Sequence, residues 1–92
     1  MRIVLAPRFS RQYALLTAAD RQLCDAAVEA LPDAFGHLHR RTGLGVRALR
    51  RGVNECRASR AVRIGFTRHG DILLLHVVGS HDAVRTWLRG NL

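Results

Sequence analysis

The hydrophobic period of this chain changes once, and that change limits what it can fold into. In the first third, apolar side chains recur at helical spacing. Phe9, Tyr13 and Leu16 share one side of a first helix, and Pro7 suits its first turn. Cys24, Ala27, Val28 and Leu31 follow as a single buried stripe on a second helix. Thr17 and Asp20 form a capping-box start for that helix, and Pro32 is expected to end it. From Val46 onward the period is nearer two. Strands are expected at Val46–Arg50, Asn54–Ser59 and Arg60–Thr67, with Val62, Ile64 and Phe66 on one face and Arg63 on the other. Arg68-His69-Gly70-Asp71 reads as a hairpin turn, and Ile72–Gly79, the most apolar run, as a central strand. A short strand over Arg2–Ala6 opens the chain. Ser80 or Asp82 caps a last helix, with Val84, Trp87 and Leu88 on its buried side and Gly90 at its end. Residues 33–45, with Gly36, Gly43 and Gly45, read as loop or turn.

This order gives an α+β fold: a mainly antiparallel sheet with two N-terminal helices packed on one face and a short C-terminal helix. The opposite face is then open and available to arginines. The 92 residues make one domain, 1–92, with a modest core. No apolar run is long enough to span a bilayer, and the apolar start is too short for a signal-peptide core. A cytoplasmic location without a membrane partner is the expectation. Cys24 and Cys56 lack metal or redox spacing and read as buried, reduced thiols.

Charge narrows the function. Fifteen basic residues face seven acidic ones, a formal net charge of +8, and every basic residue is arginine. Guanidinium groups fork onto phosphates, so a polyanionic partner follows: nucleic acid, an acidic protein, or both. Arg57 and Arg63 lie in neighbouring predicted strands and would share the open face. Arg47, Arg50, Arg51 and Arg60 stand near them, either as further phosphate contacts or as a solvated edge that discourages aggregation. His81 opens the last helix, where the helix N-terminus favours a neutral, base-competent ring, although the local sequence alone favours a simple cap-region role. His37 and His39 are a poor metal pair without further ligands, and His39 reads better as a loop contact to solvent or RNA. His76 reads as a satisfied, half-buried strand residue, and Tyr13 and Trp87 as core. Gly43-Leu44-Gly45 is no phosphate loop, and no carboxylate pair or nucleophile motif is present.

The run Gly43-Leu44-Gly45-Val46-Arg47-Ala48-Leu49-Arg50, then Glu55-Cys56-Arg57, Val62-Arg63-Ile64-Gly65-Phe66 and Leu75-His76-Val77-Val78-Gly79-Ser80-His81-Asp82, resembles the RelE/ParE superfamily of bacterial type II toxins. The resemblance spans nearly the whole chain and is specific from about Arg47 to Asp82. It implies a sheet curled around a basic groove. RelE-like members cut mRNA in the ribosomal A site without a metal, so no cofactor is expected; ParE-like members poison DNA gyrase. Each is neutralised by a cognate antitoxin. Carried over by position, Arg63 would contact the scissile phosphate, Arg57 would support it, and His81 would serve acid/base or phosphate work. Arg47, Arg50, Arg51, Arg60 and His39 would hold RNA. The chain departs from the pattern in three places: it has no lysine, Trp87 stands where a tyrosine is usual, and Gly65 replaces a branched apolar residue. The expectation is a ribosome-dependent endoribonuclease toxin, with a gyrase inhibitor or a non-catalytic nucleic-acid-binding module as alternatives.

Overall fold

A computed structural model describes residues 1–36 and 45–90. Eight elements follow in the order β1 (Arg2–Leu5), α1 (Pro7–Ala14), α2 (Ala18–Gly36), β2 (Arg47–Arg50), β3 (Val53–Arg57), β4 (Arg63–His69), β5 (Ile72–Gly79) and α3 (His81–Gly90). The strands form one mixed sheet in the order β1-β5-β4-β3-β2. Only β1 pairs in parallel, against β5; the other neighbours are antiparallel. The α+β expectation therefore holds. The most apolar strand, β5, is interior as its composition requires, although β4 is the middle one.

Each helix starts where its chemistry allows. Pro7 opens α1, where a missing amide costs nothing. The Thr17 hydroxyl accepts from the Asp20 amide at 3.1 Å and caps α2. The Ser80 hydroxyl accepts from the Ala83 amide at 3.1 Å and caps α3. Pro32 does not end α2. It lies inside it, and the helix continues to Gly36. Proline removes one interior hydrogen bond, but burial of Leu31 and Ala34 on either side holds the helix together across the gap.

The strand boundaries also shift. β3 ends at Arg57 and β4 begins only at Arg63, so Ser59 and Arg60 lie in the connection between them. The Ser59 hydroxyl accepts from the Ala61 and Val62 amides there. The β4–β5 turn is reduced to Gly70 and Asp71, with Gly70 at φ 61, a value open to glycine without strain.

The main core lies on one face of the sheet. Phe9 of α1 and Cys24, Ala27, Leu31 and Ala34 of α2 pack on Cys56, Ile64, Phe66, Leu73, Leu75 and Val78. Val62 joins this cluster from outside the strand. The Gln12 side chain accepts from the Val78 amide at 3.1 Å, beyond the point where β1 stops pairing with β5.

The opposite face is not open throughout, as the sequence reading had it. α3 folds back onto it and builds a second cluster from Val77, Val84 and Trp87, with Leu49, Val53 and Leu88 against it. The register shift between Gly65 and Phe66 makes this possible. Gly65 pairs with Val77 but Phe66 with Leu75, so His76 is the extra residue of a bulge. Trp87 then settles over Gly65. A side-chain carbon added at Gly65 would lie 2.6 Å from Val77 Cγ1 and 2.8 Å from Trp87 Cζ3. Glycine and tryptophan at these two positions are thus one packing solution.

Candidate active site

The α3 face of the sheet carries the charge. Residues opposite one another across strands point the same way. Arg57 pairs with Arg63, which pairs with Gly79, giving one cross-strand row. Arg47 pairs with Glu55, Glu55 with Gly65, and Gly65 with Val77, giving the next. The two arginines expected to share a face do so. Because Arg63 stands opposite Gly79, His81 emerges at the same end of the sheet as that row.

Glu55 organises this face. It is 1% exposed, and it is the buried charged residue among those described. A buried carboxylate needs compensating donors. Arg47 supplies one: its Nε donates to Glu55 Oε1 at 2.7 Å. Arg63 supplies a second positive charge, with Nη1 at 3.6 Å from the same oxygen. The longer contact is electrostatic and leaves the Arg63 guanidinium available to a stronger acceptor.

Between β2, β3 and α3 the surface sinks into a cavity of about 260 Å³, lined by Arg47, Leu49, Glu55, His81, Val84 and Arg85 among others. His81 is the first residue of α3 and Arg85 lies one turn on, so both project from the same side of the helix. Arg85 Nε is 2.7 Å from His81 Nε2 and donates to it. An Nε2 that accepts carries a lone pair, the arrangement found in the Nδ1–H tautomer of imidazole. The cavity therefore joins an imidazole, a buried carboxylate and the Arg47 and Arg85 guanidinium groups, while Arg57 and Arg63 stand in the neighbouring cross-strand row and are not among its lining residues.

The remaining sequence candidates divide. Arg60, exposed in the β3–β4 connection, lies at the end of the sheet where Arg57, Arg63 and His81 gather. Arg51, exposed in the β2–β3 turn, lies at the opposite end, and Arg50 precedes it on β2. The structure does not bring these two into the cavity. His37 and His39 lie outside the described residues. Sequence reasoning gave no role to Glu55 or Arg85. The alternation that put Arg57 and Arg63 on one face puts Glu55 there too, and a four-residue step from His81 reaches Arg85.

Other ionisable groups are accounted for by packing. Burial pushes the Cys24 thiol up to about 11 and the Cys56 thiol up to about 12, so both stay protonated and inert as nucleophiles. His76 stacks on Trp87 with ring centres 5.1 Å apart, and its Nε2 shares the Thr67 hydroxyl with His69 Nε2, each at 2.7 Å. It is the satisfied half-buried histidine that the strand pattern implied. No helix among the described residues is long and apolar enough to cross a membrane.

No family model matches the sequence, and no curated protein matches it. Solved structures do. A copper-bound mutant toxin from Helicobacter pylori superposes with a TM-score of 0.71 at 20% identity, covering 89% of this chain and 96% of that one. The RelB-RelE antitoxin-toxin complex from Methanococcus jannaschii gives 0.71 at 14% identity over 91% of this chain and 96% of the other. YafQ from E. coli BL21(DE3) gives 0.65 at 16% identity over 91% and 98%. The chain has the RelE-like fold, over essentially the full length of each of these chains.

Proposed function

We propose that this chain is the toxin of a type II toxin–antitoxin pair and acts as an endoribonuclease on mRNA held by the ribosome. The observation that carries the reading is the cavity in which His81, with an accepting Nε2, faces Glu55 and Arg47 beside the Arg57–Arg63 row. RNA cleavage by its own 2′-hydroxyl needs a proton acceptor and fixed positive charge around the phosphorane. In this reading His81 Nε2 takes the 2′-hydroxyl proton. The 2′-oxygen attacks phosphorus and the bond to the 5′-oxygen breaks. Water in the open cleft carries a proton to the departing oxygen. Arg63, aided by Arg57, holds the charge on the phosphate. Glu55 keeps Arg47 and Arg63 aimed before substrate arrives, so less reorganisation is needed during reaction. The fold shared with RelE and YafQ supports the toxin role, and the RelB-RelE complex among the similar structures supports a cognate antitoxin as partner.

Pulse labelling after induction in a bacterial host tests the target. Early loss of amino-acid incorporation, with mRNA cut inside reading frames, is expected. Early loss of thymidine incorporation with translation intact would replace the reading with a gyrase-directed one. Arg63→Ala and His81→Ala should each lower cleavage by roughly 10²- to 10⁴-fold while the fold is retained.

A further inference from the structure

Among the described residues, Arg85 makes the side-chain hydrogen bond to the candidate base His81. It lies one turn after His81 on α3 and lines the same cavity. Its Nε donates to His81 Nε2 at 2.7 Å. The nearby carboxylate is already engaged by Arg47 and Arg63. Resting on the nuclease reading, we infer that Arg85 is the positioning residue of His81: it fixes the Nδ1–H form of the ring and occupies Nε2 until a substrate phosphate draws the guanidinium away.

The chemistry follows from competition for one donor. An Nε–H aimed at Nε2 stabilises the tautomer whose lone pair sits on Nε2, the atom that must accept the 2′-hydroxyl proton. The same hydrogen bond blocks that lone pair while the site is empty. A phosphate diester offers the guanidinium two charged oxygens in a forked arrangement, a stronger acceptor set than one imidazole nitrogen. Phosphate entry therefore moves Arg85 onto the substrate and exposes Nε2 in a single step, with no proton transferred until the 2′-hydroxyl arrives. The base is uncovered only where a phosphate is present.

Nitrogen-detected NMR of the histidine rings tests this without any cleavage. In the free protein His81 should show a protonated Nδ1 and an unprotonated Nε2, with a protected Arg85 Nε–H. Arg85→Met keeps the apolar stem and removes the donor, and should return His81 to the intrinsically favoured Nε2–H form. Arg85→Lys keeps a donor and a charge, and should preserve the native pattern. Titration with a single-stranded oligonucleotide lacking 2′-hydroxyls should shift Arg85 Nε–H and His81 Nε2 together. Wild-type His81 in the Nε2–H form, or an unchanged pattern in Arg85→Met, overturns the inference. So does oligonucleotide binding that moves Arg63 but not the Arg85–His81 pair. In cleavage, Arg85→Met should lose roughly 10- to 100-fold, as when a group orienting a working histidine is removed. Wild-type protein that shows the expected tautomer and response but cuts no RNA would support the Arg85 role while rejecting the nuclease reading.

Discussion

At the scale of single residues, two of the three departures from the RelE/ParE pattern, Gly65 and Trp87, explain one another. Trp87 is 5% exposed and sits over Gly65, so the larger ring and the missing side chain belong together. Gly65→Ala should therefore overpack this contact and cost about 1–3 kcal/mol, read from denaturant unfolding. Trp87→Phe in the same background should recover part of that loss, because residues in contact do not behave additively. Equal and additive losses would show that the Gly65 slot has other determinants. Glu55 teaches a related lesson. Its identity and strand position were plain in the sequence, but a lone acid beside arginines has no assigned role until its burial is known. Once it is 1% exposed, it must be paired, and the arginines it pairs with are fixed by it.

At the scale of elements, α3 matters most, because it carries His81 and Arg85 on one side and Trp87 against the sheet on the other. Its attachment includes the stack of Trp87 on His76. Burial, then the charges of His69 and Arg8, holds the His76 pKa below its ordinary 6.5. The unfolded chain thus binds a proton at a higher pH than the folded one. Stability from this residue is complete above 6.5 and declines as pH falls from 6.5 towards the folded pKa. The thermal midpoint should drop from about pH 7 to about pH 5. His76→Gln, which can still reach Thr67, should flatten that drop; an unchanged slope would place the proton elsewhere. The helices were legible from periodicity and caps, since both are local. The end of α2 and the start of β4 were not, because a proline's cost and a strand's extent are settled by what packs on them.

At the scale of the whole molecule, +8 of formal charge is distributed over a body with a radius of gyration of 12.0 Å, so some attraction to any polyanion is unavoidable. A groove differs from a general charge in which arginines count. Binding to uncleavable single-stranded RNA should weaken with salt, and Arg57→Ala or Arg63→Ala should each lower the log–log slope by about 0.7. Arg51→Ala, in the turn at the far end of the sheet, should leave the slope unchanged. Three equal reductions would mean that overall charge, not a groove, holds the RNA. The sequence by itself determined the α+β class, the shared face of Arg57 and Arg63, and the strong net positive charge. Each follows from period, alternation or summed charge, which need no knowledge of distant contacts. Only the tertiary structure decided that α3 covers part of that face, that Glu55 anchors two arginines, and that Arg85 meets His81 within the same cavity. Glu55's burial and the cavity itself exist only where α3 and the sheet are brought together, and no local pattern encodes the angle at which they meet.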